Sequence, residues 1–422
     1  MHISKKQGAG IAVGVLFVVA IVSFVMPRLF DGRDGGTVSP DENIEVFDSP
    51  SADVGSVNDN LPFRIVGVDS VAPVYEISEI SQEAPLNVAW SFGGDFSRIG
   101  SFPLSKDSVF GSFSKRPDNL SSYRPAFIGP QCEDAIAPLS KDPYYEPRDG
   151  SGTVDGVTWY SSTLSDAYNT TINNWQLGVW DRKSDSSRVL ASAQELNDTA
   201  ETPALPGEVV PTMNGDKVYY ASNVRRGDEW IPSVLECNVD GSGDYRVIAS
   251  GSFPAAIADG VLYATDFVDD GTTGAGYSAV ALHDGSISNV LTVDSAVSGW
   301  CVSGIWASEG LRVVSFSNSV ENQGCYLGFW TADFKECITW VHTSSPSVVG
   351  SASLSGFAWG AGSQEENAQM YLFDVNRPGE ALLLLGEAPG YSRPSISADG
   401  STVLVPVYNG MDAVKFDVVA LS

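Results

Sequence analysis

The side chains that carry most acid–base and metal chemistry are scarce in this chain of 422 residues. Its three histidines are His2 at the amino terminus, and His283 and His342 in or beside strand-like segments of different repeats. A zinc centre or a Ser–His–Asp triad needs histidine with partners, and the pattern around these residues supplies none. The sequence also has no Gly-x-Ser-x-Gly elbow, phosphate loop or His-Glu-x-x-His motif. We therefore predict no cofactor, no metal site and no catalytic residue.

Paired carboxylates are the remaining catalytic candidates. Asp269-Asp270 and Glu365-Glu366 fall in segments that join strand-like runs. Glycoside hydrolysis needs two carboxylates about 5 to 9.5 Å apart across a cleft, a separation that the sequence does not define. Solvated loop acids are the simpler interpretation. A glycan-processing hydrolase or lyase that uses loop carboxylates is kept as the alternative function.

The elements that would position any site are six copies of one strand–turn–strand unit. The clearest copy runs from Arg393 to Val407, with a short apolar strand on each side of an Asp-Gly turn. The turn dipeptides, at intervals of 44 to 59 residues, are Asp155-Gly156, Asn214-Gly215, Asp259-Gly260, Glu309-Gly310, Ser355-Gly356 and Asp399-Gly400. This period and content are typical of a β-propeller, in which short sheets are arranged radially. We therefore predict an all-β body, a β-propeller of six blades, with a seventh blade left open.

The last repeat lacks a partner strand. In five repeats a third and a fourth strand-like run follow the hairpin, whereas the sixth has a third run at residues 413–421 and no fourth. An unpaired third strand would be an exposed sheet edge. We therefore expect the segment from Leu61 to Phe92 to donate a strand beside residues 413–421 and close the ring. The strand-like runs up to Arg148 leave room for one degenerate blade.

Large aromatic residues recur on the second strands of the repeats. In a radial array the blades pack face to face, so these rings are most simply the wedge that fills the space between them. Both central positions of the favoured hairpin turn need φ > 0, which suits Asp-Gly and Asn-Gly. The predicted core aromatics are Trp159, Tyr220, Tyr263, Phe316 and Trp359.

Topology also suggests a binding face. In a propeller, the loops between second and third strands share one face with the loops that lead from blade to blade. Guanidinium and aromatic groups on such loops suit the recognition of peptides or glycans. The candidate ligand-binding residues are Arg225, Arg226, Trp300, Tyr391 and Arg393. Each is individually weak, because an ordinary surface role is the simpler interpretation of each residue taken alone.

Charge excludes two classes of partner. The chain has 24 Lys and Arg against 52 Asp and Glu, for a net charge of −28. Nucleic acid needs a basic face, and so does a peripheral protein on an anionic membrane surface. Solubility is the simplest interpretation of the acidity, and a basic partner or divalent cation is the alternative.

The first 60 residues differ from the rest of the chain. Residues 1–7 are short and basic, and residues 8–26 contain no charge and only small or apolar side chains apart from Ser23. At about 1.5 Å per residue, such a helix spans roughly 28 Å, enough to cross the hydrocarbon core. We predict a transmembrane helix, with a cleaved signal peptide as the alternative. Residues 27–60, rich in Gly, Ser, Pro and acids, predict a flexible acidic linker.

This organisation predicts a location. We expect a single-pass protein of the cell membrane, with residues 1–7 as a cytoplasmic stub and the propeller of residues 61–422 on the extracellular side. The five cysteines, an odd number, are Cys132, Cys237, Cys301, Cys325 and Cys337. Buried free thiols are the simplest interpretation, and one or two disulfides are left open. A turn at Asp333-Phe334 would place Cys337 opposite Trp330.

Three stretches resemble the TolB-like (WD-type) β-propeller repeat family. SRPSISADGSTVLV at 392–405 resembles the first hairpin of that repeat, VLECNVDGSGDYRVIA at 234–249 its outer hairpin, and AVALHDGSISNVLTV at 279–293 is a looser copy. The resemblance covers about residues 150–422. Two departures are Ser-Ala-Asp-Gly in place of Ser-Pro-Asp-Gly, and Glu-Gly or Ser-Gly in the fourth and fifth repeats. The resemblance implies turns and packing, and it specifies no activity.

Together these patterns predict a non-catalytic cell-envelope protein that binds or scaffolds. The expected partners are an envelope protein, a peptide or a glycan, and the membrane itself through the N-terminal helix, with no nucleic acid. A third hypothesis is a structural propeller stabilised by a cation.

Overall fold

A computed structural model describes most of the chain after residue 60. The described residues are 61–65, 72–93, 101–113, 124–131, 145–163, 172–203, 210–250, 253–267, 273–281, 287–293, 299–318, 323–362, 368–376, 382–388, 393–410 and 412–421. The predicted stub, transmembrane helix and linker lie outside them, and their bounds stay predictions. Within the described ranges, no helix has the length and apolar character needed to cross a membrane.

The described chain starts with an N-terminal segment of short elements. It consists of β1 (Val74–Glu76), α1 (Ile77–Ile80), β2 (Ser81–Glu83) and β3 (Val88–Gly93). A three-stranded sheet follows, here called the leading sheet: β4 (Phe102–Ser105), β5 (Ser108–Phe113) and β6 (Arg124–Ile128).

Blades 1 to 3 occupy the next part of the chain. Blade 1 contains β7 (Tyr145–Thr153), β8 (Gly156–Thr163), β10 (Trp175–Asp181) and β11 (Ser186–Ser192), with a two-stranded ribbon of β9 (Ile172–Asn173) and β12 (Thr202–Pro203) and the helix α2 (Ala193–Asn197) beside it. Blade 2 contains β13 (Thr212–Asn214), β14 (Lys217–Arg226), β15 (Glu229–Asn238) and β16 (Arg246–Ser250). Blade 3 contains β17 (Phe253–Ala258), β18 (Val261–Phe267), β19 (Thr273–Ala281) and β20 (Ile287–Thr292).

Blades 4 to 6 complete the series. Blade 4 contains β21 (Trp300–Ala307), β22 (Leu311–Asn318), β23 (Cys325–Thr331) and β24 (Cys337–Thr343). Blade 5 contains β25 (Val348–Ala352), β26 (Gly356–Ala361), β27 (Ala368–Asp374) and β28 (Leu382–Ala388). Blade 6 contains β29 (Ser395–Ile396), β30 (Thr402–Asn409) and β31 (Asp412–Ala420), and its fourth strand is β3.

The sheets follow one another around a closed ring in chain order. Strand β4 of the leading sheet contacts both blade 6 and blade 1, so the leading sheet lies between them. The all-β propeller with six blades is confirmed. The leading sheet is the degenerate blade for which the sequence left room. Because it lies within the ring, the ring contains one sheet in addition to the six blades.

The ring is closed by the strand that the sequence analysis required. Strand β3 pairs antiparallel with β31, with Phe92 opposite Phe416. The hydroxyl of Ser91 donates to a carboxylate oxygen of Asp417 at 2.6 Å, and the indole N–H of Trp90 donates to the Lys106 carbonyl at 2.7 Å. The otherwise unpaired edge of β31 is thereby covered.

Two further strands were not foreseen. Strand β1 pairs in parallel with β24, and β2 pairs in parallel with β28, so blades 4 and 5 each gain a fifth strand. Each added strand has three residues, too few for a sequence pattern to predict. The N-terminal segment therefore lies along the outer edges of two blades before it enters the ring as β3.

The five predicted core aromatics are buried. Their exposed fractions lie between 0 and 4%. Rings from neighbouring sheets meet between the blades: Phe110 of the leading sheet lies 5.2 Å from Trp159, and Phe329 lies 6.0 Å from Trp359. Cys337 pairs with Trp330, as the predicted turn required, and Phe334 in that turn has φ 57°.

The described cysteines are free thiols: Cys237, Cys301, Cys325 and Cys337. Cys325 is fully buried, and burial raises the pKa of its thiol to about 12. Burial likewise raises the pKa of the Cys237 thiol to about 11. Since the thiolate is the nucleophile, these two thiols are poorly reactive at neutral pH.

The turn glycines do not all serve the purpose that the sequence suggested. Both turn positions have φ > 0 at Asp259-Gly260, with φ values of 54° and 70°. Gly156 is outside that region, so the turn-type argument, which was made for Asp-Gly and Asn-Gly, was wrong at Asp155-Gly156. Gly310 and Gly356, which follow Glu and Ser, are outside it as well. At Gly310 the reason is packing between blades, because a Cβ there would overlap the carbonyl oxygen of Leu354 in the neighbouring blade.

This difference predicts that two Gly→Ala substitutions lower the free energy of unfolding by unequal amounts. Gly310→Ala should lower the free energy of unfolding by about 3 kcal/mol, because blades 4 and 5 must move apart locally. Gly215→Ala should cost about 1 kcal/mol, since Gly215 has φ 62° but no atom within 4 Å of the added methyl group. Urea unfolding of both variants measures the difference. Equal costs would contradict the packing explanation.

Candidate functional site

A cavity lies where the first strands of all the sheets of the ring meet. Its volume is about 1430 Å³, and residues from the first strand of every blade and of the leading sheet line it. The glycine-containing turns that join first and second strands surround one end. We call this end the hairpin face and the space the central cavity. A cavity of this size and position is the expected place for a ligand in a propeller.

The central cavity is acidic. Its lining contains seven carboxylates and four basic side chains, so negative charge predominates. The carboxylates are those of Asp155, Asp181, Asp216, Asp240, Asp259, Glu309 and Asp399. The basic side chains are those of Lys183, Arg188, Lys217 and Arg393. Five of the six blades contribute to the acidic set, because their turns carry an acidic residue beside or near the glycine; blade 5, whose turn is Ser355-Gly356, contributes none.

Local hydrogen bonds keep several of these carboxylates ionised. The Ser242 side chain and backbone N–H lower the pKa of Asp240. The Ser184 hydroxyl is the main cause of the lowered pKa of Asp181. At Asp399, partial burial acts to raise the pKa, but hydrogen bonds from Ser397 and Ser401 together outweigh it and lower the pKa. The charge of the hairpin face therefore persists well below neutral pH.

The wall of the cavity is partly apolar. Phe102, Ile257 and Trp306 contribute to it, and Leu354 at the rim is 45% exposed. Packing holds the Trp306 indole in place, because its ring centroid lies 5.0 Å from that of Phe357. An apolar wall below an acidic rim suits a ligand that carries both positive charge and apolar groups.

One wall contains a buried arginine. Arg312 of β22 is 1% exposed, and its Nη2 lies 2.7 Å from a carboxylate oxygen of Asp259 in the neighbouring blade. Its Nε donates to the Tyr263 hydroxyl at 2.9 Å, and Nη1 donates to the carbonyls of Ser308 and Leu311. The guanidinium also lies over the Tyr263 ring, 5.0 Å from its centroid. This network joins blade 3 to blade 4 beside the cavity.

The predicted ligand-binding residues are not brought together. Arg225 and Arg226 are exposed at the β14–β15 turn, at the end of blade 2 away from the hairpin face. The Arg225 side chain donates to the Gly227 carbonyl at 3.1 Å. Arg393 lines the central cavity, and Tyr391 lies outside the described residues.

Trp300 has a different environment from the one expected. Its side chain is 7% exposed, with the ring of Phe63 5.0 Å away and that of Tyr326 5.5 Å away. Phe63 itself is 1% exposed and also stacks on Phe316 at 4.8 Å. The chain's own N-terminal segment therefore covers Trp300, and its indole belongs to the core rather than to a free surface.

Among the catalytic candidates, the structure describes His342. His283, Asp269-Asp270 and Glu365-Glu366 lie outside the described residues. His342 is on the outermost blade strand β24, where a carboxylate and a carbonyl occupy its ring nitrogens. In the part of the chain that the structure describes, no group of three His, Cys, Asp or Glu side chains could hold a metal ion.

Comparison with known proteins shows the fold and not the family. No protein-family model matches the chain, and no curated protein sequence matches it. An oligogalacturonate lyase solved in complex with manganese is similar in structure, with a TM-score of 0.52 and 10% identity, over 78% of this chain and 90% of that one.

Two further solved structures have lower scores. An uncharacterised protein from Listeria monocytogenes EGD-e has a TM-score of 0.48 and 12% identity, over 77% of this chain and 91% of that one. TolB from Acinetobacter baumannii has a TM-score of 0.38 and 11% identity, over 65% of this chain and 79% of that one. TolB is thus among the proteins of similar fold, and identities this low carry no activity over to this chain.

Proposed function

We propose that this protein is a non-catalytic binding or scaffolding protein of the cell envelope, whose ligand enters the central cavity from the hairpin face. The single observation that carries the proposal is the cavity itself, because all sheets of the ring contribute to its wall and its rim is predominantly acidic. The ligand would be a peptide or protein segment with basic and apolar side chains.

The cellular setting is part of the same proposal. The apolar run at residues 8–26 would hold the protein in the cell membrane as a single-pass helix, and the linker at 27–60 would lift the propeller from the extracellular surface. A cytoplasmic stub of seven residues completes this arrangement. The support for it is the sequence pattern and its mild charge asymmetry.

The placement of the rim carboxylates favours a binding function over a catalytic one. The described carboxylates of the rim belong to separate turns spread over five blades, and those of Asp181, Asp240 and Asp399 accept hydrogen bonds within their own turns. The alternative is a glycan-processing hydrolase or lyase that uses loop carboxylates. The fold likeness to an oligogalacturonate lyase does not favour it, since 10% identity shows the fold alone.

A charge-removal experiment at the rim tests the proposal. Asp216 and Glu309 are exposed carboxylates of the cavity lining. The double variant Asp216→Asn, Glu309→Gln should weaken binding of a fluorescent deca-lysine peptide to the full-length protein about fivefold, and added salt should reduce the difference. Fluorescence anisotropy measures both, with a deca-glutamate peptide as the negative probe.

A matched control separates the cavity from the net charge. Asp228 lies in the β14–β15 turn and Glu387 near the end of β28, both exposed and both at the opposite end of the ring. Asp228→Asn with Glu387→Gln removes the same charge and should leave the affinity within about twofold. Equal weakening by both double variants would contradict the proposal. Release of new chain ends from wall polysaccharides by the unmodified protein would favour the enzymatic alternative.

A further inference from the structure

The N-terminal segment is attached to blade 4 by a short strand. Strand β1 has three residues, and Val74, Tyr75 and Glu76 pair with Trp340, Val341 and His342 of β24. One of the bonds that hold it runs from the Trp340 backbone N–H to the Pro73 carbonyl at 3.0 Å. A strand this short gains little from backbone pairing alone, so its side-chain contacts decide whether it stays in place.

The principal polar side-chain contact of β1 is between Glu76 and His342. Nδ1 of His342 lies 2.8 and 2.9 Å from the two carboxylate oxygens of Glu76. Nε2 of the same ring lies 3.0 Å from the backbone carbonyl oxygen of Gln323. The His342 side chain is 19% exposed and that of Glu76 is 54% exposed. The ring is also packed against Tyr326, with 4.4 Å between centroids.

Both ring nitrogens of His342 therefore face oxygen acceptors. A carboxylate and a carbonyl only accept, so both bonds form only when both nitrogens carry a proton, that is, in the imidazolium. A neutral ring would leave one nitrogen lone pair directed at an oxygen and would lose the charge attraction to Glu76. We propose that His342 is a proton-dependent clasp that holds β1 on blade 4 when it is charged and weakens that attachment when it loses its proton.

The other groups around His342 do not replace its charge. From β1 the facing group is Glu76, and from β23 it is the Tyr326 phenol, whose pKa is raised by burial and then by Glu76. The segment before β23 presents the Gln323 carbonyl and the backbone of Gly324. In α1, Glu79 is exposed. No basic side chain among these described neighbours can take over the contact with Glu76.

The direction of the pH effect follows from this geometry. Histidine ordinarily changes charge between about pH 5 and 8. Loss of a ring proton removes one of the two hydrogen bonds and the charge attraction to Glu76, so the clasp opens as the pH rises. Release of β1 bares the outer edge of β24 and leaves the segment before β3 held by the pairing of β2 with β28 and by the burial of Phe63.

Hydrogen exchange at the Trp340 backbone amide tests the clasp, because that N–H donates to the carbonyl of Pro73, the residue before β1. In the full-length protein, the protection factor of this amide, corrected for the intrinsic pH dependence of exchange, should fall about fivefold between pH 5.5 and 8.5. In His342→Gln, protection should stay at the lower value throughout. Protection that does not change with pH in the unmodified protein would overturn the proposal.

A second histidine and a second measurement complete the test. His283→Gln should keep the full pH dependence, because the hydrogen bonds of the clasp join His342 to Glu76 and Gln323 and do not involve His283. Two-bond proton–nitrogen correlation of the imidazoles should show both nitrogens of His342 protonated at pH 6. With three histidines in the chain, the signals are assigned by their loss in the variants. A neutral tautomer of His342 at that pH, or an unchanged pH response in His342→Gln, would refute the clasp.

Discussion

Replacing Asp259 by Asn is expected to lower the free energy of unfolding by about 3 kcal/mol. The reason is the environment of Arg312, whose side chain is 1% exposed and whose guanidinium has Asp259 as its carboxylate partner. The carbonyls and the Tyr263 hydroxyl that also contact it supply no negative charge. Without Asp259, a full positive charge stays buried between blades 3 and 4. Chemical denaturation followed by tryptophan fluorescence measures the loss.

A matched substitution separates this effect from that of the turn. Asp155 holds the same turn position in blade 1, but its ion pair with Arg182 spans 3.8 Å and the side chains of Asp155 and Arg182 are 83% and 63% exposed. Asp155→Asn should therefore change stability by less than about 0.5 kcal/mol. Combining Asp259→Asn with Arg312→Met should recover part of the loss, because no charge is then buried. If adding Arg312→Met to Asp259→Asn lowered the free energy of unfolding further, the buried-charge explanation would be contradicted.

The architecture was predictable because each turn dipeptide reports on a local hairpin. Strand pairing within a hairpin follows from the turn and from alternation, so even the pairing of Trp330 with Cys337 could be derived. The closing strand β3 could be predicted because the edge of β31 had to be covered. The parallel strands β1 and β2 could not be predicted, since three-residue strands carry no periodicity and their partners lie far along the chain.

The candidate site was predicted less well, for two physical reasons. The loops predicted to bind lie at one end of the ring, whereas the turns at the other end surround the described cavity. In the sequence, the acidic residues of those turns are indistinguishable from ordinary turn residues. Trp300 looked exposed because the residue that covers it, Phe63, is far away in sequence. Arg312 did carry a signal that was missed: a charged residue inside the apolar run LRVVSF needs a buried partner.

Closure of the ring gives the other large expected effect. Phe92 of β3 is 4% exposed, stacks on Phe416 at 5.3 Å, and packs with Val109 and Ile128 of the leading sheet. Phe92 therefore packs within blade 6, to which β3 belongs, and also joins blade 6 to the leading sheet. Phe92→Ala should lower the free energy of unfolding by about 3 to 4 kcal/mol, measured by urea unfolding with both fluorescence and circular dichroism.

Val88 supplies the control within the same strand. Its side chain is 42% exposed, so Val88→Ala keeps the backbone pairing of β3 and should cost less than about 0.5 kcal/mol. If β3 only covers an edge, Phe92→Ala would loosen β3 locally and leave the unfolding midpoint unchanged, which hydrogen exchange of β3 and β31 would reveal. If β3 closes the ring, the midpoint falls and exchange increases across blades 1 to 6 together, because sheets that each contact two neighbours lose stability as one cooperative unit.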